Sequence, residues 1–195
     1  MTNGQKSWPR PILKQIATGH SREAAVVFES YEPGAEEWDI FKRVSFEVLQ
    51  QTRFEAGACT VLSALLAKRL TEALGTPVPV VAGALKIAGQ YMFGSDRSFD
   101  GAETFSRSAD DWDGHCWILL GRRIVDASLG RTARTGRCPP LLSRTVISAY
   151  GEQAGVVAGT NAEMRDVGLF YLPRYVLTPA QVAALAAGAE YRYGI

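Results

Sequence analysis

Residues 115–129 read HCWILLGRRIVDASL, two short apolar runs, His115 to Leu120 and Arg123 to Leu129, divided by Gly121-Arg122. Runs of this length that meet at a two-residue, glycine-containing turn predict a β-hairpin. With those two residues as the turn, Leu120 faces Arg123, Leu119 faces Ile124, Trp117 faces Asp126 and His115 faces Ser128. Side chains alternate along a strand, so His115, Trp117, Asp126 and Ser128 share one face. His115 and Asp126 become diagonal neighbours roughly 7–8 Å apart at the backbone, a gap that their side chains can close with a hydrogen bond. A three-residue turn would instead carry Asp126 to the opposite face.

Asp126 sits between apolar neighbours, Ile124 and Val125 before it and Ala127 after it. Buried carboxylates are rare without a partner, so the run asks for one, and His115 is the natural candidate. An acid in that place holds the imidazole in one tautomer and stabilises its charged form. Taken singly, either residue reads as structural, His115 as a satisfied histidine and Asp126 as a turn carboxylate. Together they read as chemistry.

Upstream, Ala58 to Leu74 repeats Val61, Leu62, Leu65, Leu66, Leu70 and Leu74 on a helical period, and Gly75 then Pro77 supply the stop. Cys59 opens this helix, where unpaired backbone N–H groups and the positive end of the helix dipole favour a thiolate over a thiol. The competing reading is a small buried residue on an apolar helix. Ala56, Gly57 and Ala58, just before the cysteine, leave room for a substrate backbone, which makes Gly57 a candidate substrate-binding residue. A further helical face, Trp38, Phe41, Val44, Val48 and Leu49, predicts a helix over residues 35–54. Gln50 or Gln51, near its end, is a candidate side-chain donor to an oxyanion, against the plain reading of a solvated helix residue. Trp117 is either a site wall or core packing.

These residues resemble a family. GACTVLSALLAKRLTEALGTPVPVVAG, then GHCWILL, then RRIVDASLG, covering about residues 56–129, look like the transglutaminase-like branch of the papain-like cysteine enzymes, in which a helix-borne Cys is followed by strands bringing a His and then an Asp. The resemblance implies an α+β fold, papain-like or transglutaminase-like, with the nucleophile helix packed on an antiparallel sheet. It implies a Cys-His-Asp triad: Cys59 as nucleophile, His115 as general base and then acid, and Asp126 as its orienter. Members include peptidases, amidases, transamidating enzymes and, in a related arrangement, arylamine N-acetyltransferases. The chain departs from the commonest form in placing Cys116 between His115 and Trp117, and in a long acidic loop before the histidine.

The function expected is that of a cysteine hydrolase, a peptidase or amidase working through a thioester on Cys59, with a peptide or amide as substrate. An acyl or amine transferase on the same triad is the alternative within enzymes, and a non-catalytic binding module is the alternative outside them.

The remaining features bound this reading. At 195 residues, 47% hydrophobic and 21% charged, the chain suits one domain over residues 1–195 with a sizeable core. A formal charge of +1 supplies no field to attract nucleic acid or an anionic membrane. No apolar run reaches the roughly 18 residues that span a bilayer, and the first residues lack the form of a signal peptide, so a cytoplasmic protein is expected. Three cysteines, Cys59, Cys116 and Cys138, suit reduced thiols better than a disulfide framework. A metal held by Cys59, His115, Cys116 and Cys138 is disfavoured, because adjacent strand residues face opposite ways and no Cys-x-x-Cys or His-x-x-x-His spacing occurs. No metal and no cofactor are expected.

Elsewhere, Pro11 to about Tyr31 reads as a short helix and then a helix or strand. Val78 to Leu85 and Lys86 to Phe93 read as paired strands, Leu141 to Tyr150 as a strand or helix, Leu169 to Leu172 as a strand, and Thr178 as the cap of a helix ending near Gly188. Residues 94–114 read as a long acidic loop holding Asp96, Asp100, Glu103, Asp110, Asp111 and Asp113. Arg122, Arg123, Arg131, Arg134, Arg137 and Arg144 form a basic stretch that either holds an anionic group or is a solvated surface. His20 reads as a capping-loop residue, with replacement of His115 as the base its alternative role.

Overall fold

The computed structural model describes residues 8–53, 58–106, 112–136 and 138–195. Helices and an antiparallel, curled sheet mix along the chain, an α+β arrangement. Helices α1 (Arg10–Gly19), α2 (Arg22–Ser30), α3 (Ala35–Gln51) and α4 (Cys59–Leu74) come first. The middle of the chain carries β1 (Val80–Ile87), β2 (Gln90–Phe93), the short α5 (Gly101–Thr104), β3 (His115–Leu120), β4 (Arg123–Asp126), the short α6 (Leu129–Thr132) and α7 (Pro140–Tyr150). β5 (Val157–Thr160), α8 (Asn161–Asp166), β6 (Phe170–Val176) and α9 (Pro179–Tyr193) complete it.

The hairpin has the register expected of a two-residue turn: Leu120 pairs with Arg123, Leu119 with Ile124 and Ile118 with Val125. Gly121 takes a φ of +55° while Arg122 keeps a negative φ, the combination of a II′ turn with glycine in the first central position. The preceding hairpin turns at Ala88-Gly89, so β1 runs on to Ile87 instead of ending at Leu85. Both turn residues have positive φ, and Ala88 at +49° is the non-glycine exception among the described residues.

β1 is the strand on which the site is built. β3 pairs with Val80 to Gly83 and β2 with Leu85 to Ile87, while β6 pairs with Val81 to Lys86. A strand has two edges, so β2 and β3 follow one another along one of them and β6 takes the other. His115 pairs with Gly83 and Phe93 with Leu85, which puts these two residues where β2 stops and β3 starts. Gly83 admits the third strand: a Cβ there would lie 2.1 Å from the Leu172 carbonyl oxygen and 2.8 Å from Trp117 Cη2. A bulge in the β1–β6 pairing lies between Ala82 and Gly83, where Pro173, lacking an N–H, stands opposite.

Alternation along the strands divides the apolar residues between two cores. Val80, Ala82, Cys116, Ile118, Leu120 and Val125 pack with Leu62, Leu65, Leu66 and Leu70 of α4 and with α3 residues such as Val44 and Val48. Val81, Leu85, Trp117, Leu119 and Ile124 pack with Ile12 and Ile16 of α1, Phe28 of α2 and Leu142 and Val146 of α7. Among the described residues, no helix is long and apolar enough to cross a membrane.

Several segments differ from the sequence expectation. Residues 22–30 and 140–150 are helical where the pattern left strand or helix open, and α9 continues past Gly188 to Tyr193. The acidic loop contains α5, whose N-terminus is capped by Asp100. It is pinned by rings: Phe99 stacks on Trp112 at 5.5 Å, and Phe105 stacks on Tyr175 of β6 at 6.1 Å. Asp110 and Asp111 lie outside the described residues.

Candidate active site

Cys59 is the first residue of α4. Its N-cap is Ala58, which has no side chain to satisfy the first-turn N–H groups, and the first turn carries no acid. One turn on, Ser63 Oγ donates to the Cys116 carbonyl oxygen at 3.0 Å, tying the head of the helix to the start of β3. Cys59 is half-buried. Thr60 Oγ1 lies 3.9 Å from its sulfur, and the His115 imidazole and the Cys116 amide are near enough to act on its ionisation.

His115 and Asp126 are buried, 1% and 0% exposed. Nε2 of the imidazole and Oδ2 of the carboxylate are 2.5 Å apart, a short charge-assisted contact. The other carboxylate oxygen, Oδ1, accepts from the backbone N–H of Ser128 at 3.0 Å, from that of Leu129 at 2.9 Å and from Ser128 Oγ at 3.1 Å. Tyr171 of β6 donates its hydroxyl to Oδ2 at 2.9 Å. Phe93 stacks on the imidazole, with centroids 4.7 Å apart and planes 13° apart, as the shared edge of β1 requires. Among the described residues His115 Nδ1 is buried without a hydrogen-bond partner, and the thiol of Cys59 is near enough to act on the ring's ionisation.

The three groups alter one another's titration. Burial alone would lower the His115 pKa, but the charge and hydrogen bond of Asp126, with help from Cys59, carry it from 6.5 up to about 10. Burial works against ionisation of Asp126, yet the His115 charge and the hydrogen bonds of His115, Tyr171 and Ser128 bring its pKa below the usual carboxylate value. Burial likewise opposes a Cys59 thiolate, and the imidazolium overcomes it, lowering the thiol's pKa. The arrangement therefore favours a thiolate–imidazolium pair with a buried carboxylate behind it. Cys116, one residue along, points into the α4 side of the core, and burial raises its pKa well above the ordinary thiol value. Cys138 is also raised by burial.

The structure brings Cys59, His115 and Asp126 together, and the other candidates stand variously. Trp117 does share the face of His115, but it is 1% exposed and meets Tyr171 edge-on at 5.0 Å. It is packed in the core beside α1. Gln51 turns its side-chain oxygen to Arg69, at 2.6 Å and ten residues along α4 from Cys59, so its carboxamide is engaged on the body of the helix. Gly57 lies outside the described residues. His20 bonds the Leu177 carbonyl oxygen through Nε2 at 3.0 Å, away from the thiol.

The arginines disperse instead of lining the site. Arg122 pairs with Glu32 and Arg123 with Glu163, and Arg134 donates to the Glu152 carbonyl oxygen. Arg131 donates to the carbonyl oxygens of Leu49 and Thr52, which closes the C-terminus of α3. Arg137 lies outside the described residues. Among the described residues, no group of three or more His, Cys, Asp or Glu side chains is placed to hold a metal.

Tyr171 and Phe93 are the contacts that sequence reasoning missed. Leu169 to Leu172 reads as a strand, but nothing local reveals that its tyrosine reaches a carboxylate 45 residues earlier. No protein-family model, no curated protein and no solved structure matches this chain.

Proposed function

We propose that this chain is a cysteine hydrolase, a peptidase or amidase, with a fold of the transglutaminase-like kind. The observation that carries the reading is the imidazole of His115. One nitrogen is held by a buried carboxylate, and the other is left for a thiol at the head of a helix. A structural histidine in a core would have both nitrogens hydrogen-bonded.

In the proposed reaction, the Cys59 thiolate attacks the substrate carbonyl, and the N–H groups at the head of α4 receive the developing oxyanion. His115 gives its Nδ1 proton to the departing amine, which leaves a thioester on Cys59. Water then attacks the thioester as His115 takes back a proton, and the acid and the thiolate are released. Asp126 stays ionised and keeps the Nε2 proton in place throughout.

The test is turnover of amide and peptide substrates by the wild-type chain and by Cys59→Ala, with products analysed with and without an added amine. Hydrolysis that Cys59→Ala abolishes supports the reading. A conjugate formed in preference to the acid would assign the chain to acyl transfer, and equal turnover by both proteins would overturn a role for Cys59.

A further inference from the structure

Five donors meet at the Asp126 carboxylate, and four are what its place in the chain supplies: the paired His115 and the turn that follows, with Ser128 N–H, Ser128 Oγ–H and Leu129 N–H. The fifth comes from far away. Tyr171 stands on β6, which among the described residues pairs with β1 only, and its hydroxyl crosses the curled face of the sheet to reach β4. Its ring is 3% exposed and packs between Trp117, 5.0 Å away and edge-on, and His115, 6.3 Å away.

The three bonds at Oδ1 already fix how the carboxylate is turned. Oδ2 is different, because there Tyr171 and His115 donate to the same oxygen. A carboxylate oxygen that accepts a second donor has less negative charge to offer the first. The phenol is well suited to this, since burial and the carboxylate beside it keep it neutral and therefore a donor.

We propose that Tyr171 is a positioning residue for the triad, one whose hydroxyl competes with His115 for Asp126 Oδ2 and tempers the carboxylate's hold on the imidazole proton. The inference rests on the reading of Cys59, His115 and Asp126 as a working triad for its consequence in turnover. Without the hydroxyl, the pair binds its proton more tightly, and the steps in which the imidazole releases and regains a proton slow down.

The other groups around Asp126 do not duplicate this role. Cys116 of β3 is neutral and faces the α4 core. Tyr150 of α7 senses the carboxylate's charge but donates its hydroxyl to Met164 Sδ at 3.2 Å. Cys59 of α4 acts on the pair from the opposite nitrogen of the imidazole.

The experiment follows the His115 ring by NMR in three proteins. They are the wild type, Tyr171→Phe, and a protein with 3-fluorotyrosine placed at position 171, whose more acidic phenol is a stronger donor. The chain's two histidines make the assignment direct. Tyr171→Phe is expected to move the His115 titration upward by about half a pH unit, and the fluorinated side chain to move it downward.

A tyrosine that only closes the sheet would lower thermal stability in Tyr171→Phe and leave both titrations unmoved, which would overturn the proposal. Selective alkylation of Cys59 in the wild type is measured alongside. Its failure would count against the hydrolase reading, whereas unmoved titrations with Cys59 fully reactive would count against Tyr171 alone.

Discussion

Replacing Asp126 by asparagine keeps the shape of a buried side chain and removes its charge, and the structure dictates how the variant must settle. Ser128 N–H, Leu129 N–H and Ser128 Oγ converge on Oδ1, and the two backbone amides require an oxygen there. The carboxamide oxygen therefore takes that place, and the NH2 group turns toward His115 and Tyr171. Nε2 must then accept a hydrogen bond, which leaves the neutral imidazole protonated at Nδ1, the tautomer that cannot take a proton from the thiol.

The charge matters as much as the tautomer. His115 is held at about 10 against an ordinary 6.5. At about 1.4 kcal/mol per unit that net span is about 5 kcal/mol, and because burial pulls the other way the interactions that raise it together exceed that figure. A loss of even half that span lowers the equilibrium constant for the thiolate–imidazolium form about 50-fold. The assay is the rate of iodoacetamide alkylation at Cys59 between about pH 4 and pH 10, with nitrogen NMR of the imidazole to read the tautomer and circular dichroism to check folding. A folded Asp126→Asn protein that keeps the wild-type rate and a proton at Nε2 would refute the reasoning.

Three further outcomes follow from the fold. Gly83→Ala places a methyl group against the Leu172 carbonyl oxygen and the Trp117 ring, and a loss of about 1–3 kcal/mol is expected in urea unfolding; unchanged stability would show that β6 can yield there. Ala88→Asn relieves a positive φ on alanine beside Gly89 and should raise stability by about 0.5–1 kcal/mol, read as a higher Tm. The pH dependence of stability has a definite sign. The lowered pKa of Asp126 contributes stability above 3.8 that is lost on acidification below it, and the raised pKa of His115 contributes stability that is full below 6.5 and lost on the way to about 10. Urea unfolding should thus show the pair's stabilisation greatest between those two lower values and declining toward alkaline pH, a dependence that Asp126→Asn flattens.

The parts of the site that lie close in sequence were legible in it. Gly121-Arg122 set the turn, the turn set the register, and the register put His115 and Asp126 on one face. Cys59 was legible because an apolar helical period begins at it and a glycine ends it. What escaped depends on pairing between distant strands. The stacking of Phe93 on His115 follows from two strands sharing one edge of β1, and the Tyr171 bond follows from the curl that brings β6 near β4. Neither leaves a local trace.

β5 and α8 were missed although Thr160 and Glu163 form a capping box, a signal that the short apolar run before it did not support. Gln51 misled because its nearness in sequence to Cys59 says nothing of where the end of α3 points.

The central claim is that the Cys59 sulfur is an activated thiolate, and the direct measurement is peptide-resolved alkylation of the three cysteines in the folded wild-type chain at about pH 6, where an ordinary thiol is almost wholly protonated. Cys59 is expected to label on the order of 100-fold faster than Cys138, whose pKa is raised, with Cys116 protected by burial. Slow labelling of Cys59 at the rate of Cys138 would contradict the account.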